Sequence, residues 1–557
     1  MRRCLSFERI SLVVWAASLC VVAAALSGCG LSCGEGDAPA PASAPTSYGD
    51  AIRLKGPGAA RYAEPTEPGA FDRKVTGVLG ELASRRLTYD GCLARAAQEY
   101  GRHVLPRGGQ DDRPPRNLQE VVLHHAGCTD GWVSSHVFYT SSDNEEDFLA
   151  HIKASFADLD SAATTHFGAG KAPALAPYKW TYVLLLAERH VVFEPVRRSV
   201  PVGEPLEIAG RLLDGLKEPD VLVLEPEGEV QALDVTEWED GRFSATATFD
   251  RPGEQWIELL AEGDLGPRVA GLFPVYVGVE PPTEIPLEVV PDESTIVETE
   301  DAERLMFKLV NQDRERFGLP ALLWSDEIAS IARRHSRDMR DNRYFAHVSP
   351  YQGDLSQRFE TGAFAARSLG ENISRNDSVY DAEAGLMQSL GHRENLLNPT
   401  FTHIGVGVAF GVDAYGHRSI YFTQNFATPQ RTLSSSEALD EIYVRVDERR
   451  QRRKLDAIER DRDLQSIAAR FARFGDQADG GYPAADLTQR IKRALVDQGY
   501  VYRAFYIQTH TVLDPSDVNL PSALFDPSVS RVGIGVYPSR SPSGAVRWKT
   551  LIVLAEI

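Results

Sequence analysis

A short glycine-containing pattern occurs three times along this 557-residue chain and constrains its fold more than any other feature. Residues 402–407 (Thr-His-Ile-Gly-Val-Gly) are echoed by residues 165–170 (Thr-His-Phe-Gly-Ala-Gly) and by residues 530–535 (Ser-Arg-Val-Gly-Ile-Gly). An apolar run typical of a buried strand follows each echo, and a similar helical pattern precedes every copy. Because self-similar segments in a constant order are the signature of repeated units, the sequence predicts three related α/β modules.

Residues 190–280 have a different pattern, between the first module and the second. Short alternating apolar segments are separated by Gly, Pro and Asp turns about every ten residues. This spacing is typical of an antiparallel β-sandwich, and we predict an Ig-like domain here. The acidic, proline-containing residues 281–297 then predict a linker before the central module.

The amino terminus predicts where the protein resides. Two arginines precede a mostly apolar run at residues 10–26, which ends in the tetrad Leu-Ser-Gly-Cys at residues 26–29. These features are typical of a secretory signal, with a transmembrane anchor as the alternative. The tetrad resembles a bacterial lipobox, which would make Cys29 the lipidated first residue of the mature chain. Gly30 behind it favours anchoring to the outer membrane, so we expect a membrane-tethered envelope protein.

Charge excludes one class of partner, and cysteine placement isolates one pair of thiols. The formal net charge of −20 and the absence of a long basic run argue against nucleic-acid binding. Four of the six cysteines lie in the signal or in the Ala- and Pro-rich tether behind it. Cys92 and Cys128 are the pair left in a predicted folded region. Outside the reducing cytoplasm we expect a disulfide between them, the alternative being two separate buried thiols.

Three strings in the central module contain candidate site residues. They are His347 in Phe-Ala-His-Val-Ser-Pro, Glu371 in Gly-Glu-Asn-Ile and His392 in Gly-His-Arg-Glu-Asn. About 20 positions separate each from the next, so only the fold can bring them together. A helix capped by Ser325 is predicted to lead to the first histidine, and a helix at about 381–390 to the second. Neutral imidazoles with a carboxylate suit zinc or a similar borderline ion.

In this order, the strings resemble the bacterial branch of the CAP superfamily, the group of plant pathogenesis-related and cysteine-rich secretory proteins. The resemblance covers residues 298 to about 428. It implies an α-β-α sandwich whose cleft, lined by two histidines and acidic residues, can hold a divalent metal. Carried over by motif, the metal ligands are His347, Glu371 and His392. A second family acid has no clear match, although Glu383 lies on roughly the right segment.

The resemblance extends to the repeats, whose flanking copies are interpreted as degenerate CAP-like modules without this chemistry. In the central copy, His392 lies thirteen residues before the first glycine of the pattern, whereas Leu520 lies at that position in the last copy. In the first copy, Glu120 could retain the acid. The predicted boundaries are a lipoprotein signal peptide at 1–28, a flexible tether at 29–55, a degenerate CAP-like module at 56–190, an Ig-like β-sandwich at 191–280, a linker at 281–297, a CAP domain at 298–430 and a second degenerate module at 431–557.

Several interpretations of the cleft stay open at this point. We expect a non-enzymatic envelope protein that binds a divalent metal, or a small or lipid ligand. Metal-assisted hydrolysis of peptide or cell-wall polymer would use the same three residues as catalytic groups. Ser349 near His347 also allows a serine–histidine–glutamate arrangement to be imagined. In a purely structural interpretation, the cluster fastens loops of an adhesion or scaffold protein. His335, next to two arginines on a helix, is expected to be exposed.

Overall fold

A computed structural model describes residues 51–556, except 84–86, 105–113, 157–163, 176, 226–227, 229, 289–290, 294, 413–417, 476–481, 500–502 and 541–544. The predicted signal peptide, the predicted lipidation site Cys29 and most of the predicted tether lie outside these residues. Within them, none of the helices combines the length and the apolar character needed to cross a bilayer.

The first α/β unit is a four-stranded sheet with a hydrophobic core on each face. Its elements are β1 (Ala51–Arg53), β2 (Arg61–Tyr62), α1 (Ala70–Leu82), β3 (Thr88–Tyr89), α2 (Gly91–His103), α3 (Leu118–Ala126), β4 (Val133–Thr140), α4 (Glu146–Ser155), β5 (His166–Pro173) and β6 (Trp180–Ala187). The strand order is β3-β5-β6-β4, with β3 parallel to β5 and the other pairs antiparallel. Alternate residues of β6 enter opposite cores, Val183 and Leu185 on one face and Tyr182 and Leu184 on the other.

Two mainly antiparallel sheets that share one core follow. Their strands, with the short β8 beside them, are β7 (Val191–Phe193), β8 (Val196–Arg197), β9 (Ser199–Val200), β10 (Leu206–Leu212), β11 (Lys217–Leu224), β12 (Val230–Ala232), β13 (Val235–Glu237), β14 (Arg242–Ala247), β15 (Gly253–Gly263) and β16 (Gly266–Val277). One sheet has the order β13-β14-β10-β7 and the other β12-β11-β15-β16-β9. Ile208, Phe243, Ile257 and Phe273 meet between them. The region is thus a two-layer β-sandwich, and its assignment to the Ig-like class stays a prediction.

The predicted tether and the predicted linker meet in a two-stranded ribbon. Strand β1 pairs antiparallel with β17 (Glu284–Pro286). Ile52 and Leu54 are buried in the core of the first unit. The predicted tether boundary at residue 55 therefore needs correction, since the folded body already includes Ala51. The physical reason is that two apolar side chains in this stretch have a core to enter.

The central α/β unit repeats the sheet of the first. Its elements are α5 (Thr299–Arg316), β18 (Leu323–Trp324), α6 (Asp326–Asp341), α7 (Leu355–Thr361), β19 (Ala366–Asn376), α8 (Val379–Gln388), α9 (Leu390–Leu396), β20 (His403–Val412) and β21 (Arg418–Pro429). The order β18-β20-β21-β19, with β18 parallel to β20, corresponds strand for strand. Helix α6 begins at the predicted cap, where the Ser325 hydroxyl accepts the Ile328 amide. The single helix predicted at 381–390 is instead two, because Ser389 takes an extended backbone (φ −68°, ψ 124°).

The last α/β unit has the same arrangement again. Its elements are α10 (Ser435–Arg452), β22 (Glu459–Arg460), α11 (Arg462–Ala472), α12 (Ala484–Asp497), β23 (Ala504–Val512), β24 (Val529–Arg540) and β25 (Val546–Glu556), with 3₁₀ turns at Pro515–Asp517 and Ser522–Phe525. The strand order is β22-β24-β25-β23, and β22 is parallel to β24. The Asp461 carboxylate caps α11 as the Asp90 carboxylate caps α2.

The repeated glycines pack each sheet against one helix. A side chain at Gly405 or Gly407 of β20 would collide with the backbone of α6 at Ala329 or Arg333. The corresponding pairs are Gly168 with Gly170 against α2, and Gly533 with Gly535 against α11. Such close approach of two backbones requires glycine. The sequence pattern therefore marks the same helix–sheet contact in three units of equal topology.

Candidate functional site

The loop between α6 and α7 carries His347 and is held by buried polar contacts. The Asp338 carboxylate of α6 accepts hydrogen bonds from the hydroxyls of Tyr344 and Ser349, the latter at 2.5 Å. The Ser349 oxygen in turn accepts two backbone amides of the following turn, at 3.0 and 2.8 Å. Because this hydroxyl is committed to the turn, the geometry gives no support to Ser349 as a nucleophile.

His335 lies buried beneath this loop. Its side chain is 0% exposed, and Nε2 donates to the carbonyl oxygen of Ala346 at 3.1 Å. Burial lowers the pKa of His335 to about 4. The prediction of an exposed side chain is wrong, because consecutive helix residues point about 100° apart and two neighbouring arginines do not define the face of the next residue.

Glu371 on β19 lies between His347 and Arg358. The His347 Nδ1–H donates to Oε1 at 3.1 Å, and the Arg358 guanidinium donates to Oε2. Arg358 also donates to the carbonyls of His347 and Gly353, at 2.8 Å each. Burial alone would raise the pKa of Glu371, but the hydrogen bond from His347 and the charge of Arg358 outweigh it and hold that pKa below its usual range. Both carboxylate oxygens are therefore engaged.

His392 on α9 faces His347 across the cleft. The Ser389 hydroxyl lies 2.8 Å from its Nδ1, and the Asn372 side chain donates to its backbone carbonyl at 3.0 Å. Burial first, and the neighbouring His347 second, lower the pKa of His392 to about 3. Its imidazole is thus neutral at physiological pH. The centroids of the two imidazole rings lie 6.2 Å apart, and the rings are tilted by 32°.

Two histidines fit a shared cation better than the three predicted ligands do. Nδ1 is engaged in both rings, and no hydrogen bond among the described residues occupies either Nε2. At the tetrahedral geometry of zinc, two Nε2 atoms at about 2.0–2.1 Å from one ion would place the ring centroids roughly 5 Å apart, so the two rings would have to move about 1 Å closer together to share the ion. Glu371, with both oxygens engaged, is arranged instead as the carboxylate behind a histidine that fixes its tautomer.

A polar network behind the cleft was not anticipated from the sequence. Asn372 donates to the Gln424 side chain at 3.1 Å, and Gln424 donates to Glu383 at 2.8 Å. Burial and then the charge of Asp313 raise the pKa of Glu383 to about 8. Glu383 therefore belongs to this network, and no described contact joins it to either histidine. The missed signal is the polar run Thr-Gln-Asn at 423–425, inside an otherwise apolar strand.

The preceding β-sandwich contributes to the same cleft, which the sequence placed wholly within 298–430. The Val348 amide donates to the carbonyl of Leu265 at 2.9 Å, and the Gly391 amide donates to Glu258 Oε2 at 2.9 Å. The first contact lies next to His347, and the second lies next to His392. The site is therefore built from two domains.

Other residues stand at the Glu371 position in the flanking units. Following the strand pairs outward from the first pattern glycine leads to Glu371 in the central sheet, Ser135 in the first and Ile507 in the last. Glu120, suggested from the sequence as the acid of the first unit, lies instead on α3, where it accepts hydrogen bonds from Gln388 at 2.8 Å. Strand pairing decides which residue lies at the position equivalent to Glu371, and the sequence around Glu120 contains no information about that pairing.

A cysteine pair in the first unit is a crosslink. Cys92 and Cys128 are joined in a disulfide, with their Cα atoms 5.4 Å apart, and Asp130 lies beside them. The Asp130 carboxylate accepts two hydrogen bonds from Arg189, at 2.8 and 2.7 Å. This cluster is thus a disulfide next to an ion pair, since disulfide sulfurs are not the thiolates that bind metals.

Residues 307–426 match the family model of CAP, the cysteine-rich secretory protein family. YlbC of Bacillus subtilis (strain 168), named an uncharacterized membrane protein, is 40% identical over 127 residues, 22% of this chain and 34% of that protein. YkwD of the same organism, named an uncharacterized protein, is 37% identical over 106 residues, 19% of this chain and 41% of that protein. The chain thus spans about a third to two fifths of these relatives' length.

Among solved structures, an extracellular protein containing an SCP domain from Bacillus anthracis str. Ames aligns with 22% identity and a TM-score of 0.21, covering 43% of this chain and 86% of its own. A cysteine-rich secretory protein from Staphylococcus aureus aligns with 11% identity and a TM-score of 0.20, covering 43% and 87%. An outer surface protein from Borrelia burgdorferi aligns with 16% identity and a TM-score of 0.21, covering 24% and 96%.

Proposed function

Because residues 307–426 form a domain of the CAP family, we propose that the protein is a non-enzymatic envelope protein whose CAP domain holds a divalent cation between His347 and His392. The observation that carries the proposal is a pair of facing imidazoles, 6.2 Å apart, in which Nδ1 is engaged in both rings. Neutral imidazole nitrogens suit zinc and similar borderline ions, whereas calcium and magnesium prefer oxygen ligands.

The protonation of the site supports cation binding. A histidine must be neutral to offer a lone pair, and the low pKa of His392 keeps it so across the physiological range. The Glu371 carboxylate can only accept, so His347 carries its proton on Nδ1 and presents Nε2. With two protein ligands, a bound cation would act as a Lewis acid with further positions for water or a ligand.

A hydrolytic role has less support from the same contacts. A general base needs a free acceptor within reach of the proton that it removes. Both oxygens of Glu371 are engaged by His347 and Arg358. The Ser349 hydroxyl is bound to Asp338. We therefore favour a binding function over cleavage of peptide or cell-wall polymer.

The envelope location rests on the sequence. The tetrad ending in Cys29 supports lipid attachment, and Gly30 behind it supports the outer membrane. The similar protein YlbC of Bacillus subtilis is named a membrane protein, which is compatible with this location. The partners proposed are the membrane, through the lipid on Cys29, and an envelope or lipid ligand.

We further propose that the two flanking units are degenerate CAP-like modules that serve as scaffolds. Their sheets share the strand order of the central one. In addition, Arg314 and Arg450 end equivalent helices, and each donates to the carbonyl six residues further on. Each also reaches a carbonyl in the segment before the glycine strand, that of Leu396 or Leu524. Two buried arginines that make the same contacts at equivalent positions favour a common ancestor of these two units over chance similarity.

Zinc titration of the full chain by calorimetry tests the proposal. We expect about one equivalent to bind, and His347→Ala or His392→Ala to weaken the affinity at least tenfold. The matched control is His403→Ala, because His403 is half-buried on β20 and its Nδ1 contacts only the adjacent Thr402 hydroxyl among the described residues. The control should bind zinc as the parent does.

A purely structural cluster is the second candidate. The observation in its favour is that Arg358 ties Glu371 to two carbonyls of the His347 loop. It predicts no zinc binding by the parent chain, together with a lower melting temperature for His347→Ala. That combination would end the cation proposal and retain the scaffold.

A further inference from the structure

The last unit lacks a helix layer that the other two units share. Between the outer strand and the glycine strand, the first unit has α4 and the central unit has α8 and α9. The last unit has only two 3₁₀ turns in the equivalent segment, residues 513–528, all of which the structure describes. In the central unit, α8 packs beside α5 over one face of the sheet. Helix α10, the counterpart of α5, therefore covers that face of the last sheet without an α-helical neighbour.

A groove of about 770 Å³ lies where this layer is missing. It is lined by the end of α10, by β23 and β25, and by side chains of the segment 519–525. Binding sites for small molecules commonly have volumes of about 300–1,000 Å³. The lining combines apolar side chains with amides and a hydroxyl, among them Leu520, Phe525, Gln508, Asn519 and Ser522. Such a mixture suits a small organic molecule that carries polar groups.

Three arginines at the end of α10 follow one another at intervals of four residues. Residues spaced in this way lie on the same face of a helix. Arg445, the first, donates to the carbonyls of Pro515 and Val518, at 3.2 and 3.0 Å. Arg449 and Arg453, the next two, line the groove. The first arginine thus holds the 3₁₀ segment in place, and the other two provide positive charge to the groove.

Neither groove arginine has an acidic partner in the part of the chain that the structure describes. Arg452, between them in sequence, does pair with Glu448, at 3.2 Å. The guanidinium carbon of Arg453 lies 4.1 Å from the centroid of the Phe525 ring, and Arg449 is half-buried. The chain has 79 acidic residues against 59 lysines and arginines, so a shortage of acids does not explain the two unpaired guanidiniums. Their charge is available to an anionic ligand.

The central unit has the opposite charge at the same place. Arg314 and Arg450 are equivalent, so Arg449 corresponds to Asp313. Asp313 is buried and pairs with Arg316 at 2.8 Å. The last unit has therefore both lost the covering helices and exchanged an acid for a base, two differences that together give an open, positively charged groove.

We propose that this groove binds a small organic phosphate through the guanidiniums of Arg449 and Arg453. A guanidinium offers two parallel N–H donors to phosphate oxygens, so two guanidiniums can neutralise a doubly charged phosphate monoester. The organic part of the ligand then contacts Leu520 and Phe525. The same phosphate chemistry occurs on soluble molecules and on lipid headgroups. This site is independent of the proposed cation site and gives the last unit a binding function besides its proposed role as a scaffold.

Titration calorimetry of the full chain with phenyl phosphate tests the proposal. We expect one binding site, and a loss of affinity of at least about tenfold in Arg449→Ala and in Arg453→Ala, because each removes a charged donor. Arg449→Lys keeps the charge but not the paired donors and should lose less affinity than Arg449→Ala. The matched control is Arg490→Ala, since exposed Arg490 lies over the Tyr482 ring, also at 4.1 Å, outside the groove.

Two further ligands identify the source of the phosphate. Dihexanoyl phosphatidic acid, dissolved below its micelle concentration, binds more tightly than phenyl phosphate if the natural ligand is a lipid headgroup, and no more tightly if it is a soluble molecule. Inorganic phosphate should bind more weakly than both, since it has no part that contacts the apolar side chains. Equal affinity for inorganic phosphate would overturn the organic ligand.

Two other results would overturn the phosphate site itself. One is a parent chain that binds none of the three ligands. The other is a double variant, Arg449→Ala with Arg453→Ala, that is folded by circular dichroism and keeps the affinity of the parent for phenyl phosphate. In either case the two arginines would only be favourable charges at the carboxyl end of α10.

Discussion

At the scale of the residue, the CAP domain keeps several charged groups out of water and holds each in a different way. Glu371 is buried against a guanidinium and an imidazole. Glu383 is buried beside another acid and keeps its proton up to a pH of about 8. Buried Glu371 is stabilised by its charged partner, whereas buried Glu383 is stabilised by staying protonated. Substitution and pH therefore separate the two.

Replacing Arg358 with alanine should destabilise the CAP domain by about 3–5 kcal/mol, because it leaves the Glu371 carboxylate buried and without its guanidinium. Urea unfolding followed by tryptophan fluorescence measures the change. Arg304→Ala is the control, since Arg304 pairs with Asp301 at an exposed position and such a pair contributes about 1 kcal/mol or less. Equal losses in the two variants would contradict the structural importance of the buried pair.

Glu383→Gln should change how stability depends on pH. The folded-state pKa of about 8 lies above the unfolded value of 4.5, so the contribution of this group to stability is present below pH 4.5 and is lost as pH rises toward 8. Relative to Glu383→Gln, the parent should lose on the order of a few kcal/mol over that window. Melting temperatures from pH 4 to pH 9 measure the difference. The exposed Glu315→Gln is the control, and parallel curves for parent and Glu383→Gln would contradict the assignment.

The residues that sequence motifs marked, His347, Glu371 and His392, do lie together, but motifs could not supply their partners. Arg358 and Ser389 stand in no marked string, and Glu258 belongs to another domain. Their roles come from distances in the fold. Sequence motifs identify candidate side chains. Only the hydrogen-bond geometry of the fold shows which atoms of those side chains are free to bind a ligand.

At the scale of the element, glycine patterns and helix caps were readable and helix breaks were not. The helix cap at Ser325 agrees with the sequence. The break at Ser389 was missed, because a polar residue in a helical pattern carries no local sign of an extended backbone.

Gly407→Ala tests the contact between β20 and α6. The added methyl group would meet the α6 backbone, which cannot rotate away, so we expect a loss of roughly 1–3 kcal/mol. Gly385→Ala is the opposite case, since Gly385 lies inside α8 with open space around it and should gain about 0.5–1 kcal/mol. Scanning calorimetry compares the two. Changes of the same sign would refute this account of the glycine pattern.

At the scale of the whole molecule, the units are joined by specific polar contacts. Gln430 follows β21, and its side-chain amide donates to the carbonyls of Leu513 and Val546 in the last unit, at 2.7 Å for the former. Its oxygen accepts the Val546 amide at 2.8 Å. One side chain thus makes three hydrogen bonds to the next unit. No pattern in the sequence predicted this connection.

Gln430→Ala should uncouple the last unit from the CAP domain. Removing it leaves backbone groups of the last unit unpaired, which we expect to destabilise that unit by about 1–3 kcal/mol. Gln98→Ala, which removes one long hydrogen bond of 3.5 Å at an exposed position, is the control. Hydrogen exchange resolved by segment measures the effect on β23 and β25. Unchanged exchange in both strands would exclude Gln430 as the coupling residue.

The ribbon of β1 and β17 determines how the molecule would carry a mechanical load. Its pairing of Arg53 with Glu284 closes the chain into a loop that contains the rest of the first unit and the sandwich. A pull on the chain before Ala51 enters this ribbon and passes across it to the segment that leads into the CAP domain. While the ribbon stays paired, the force does not pass through the units inside the loop. The ribbon would therefore protect them from mechanical unfolding.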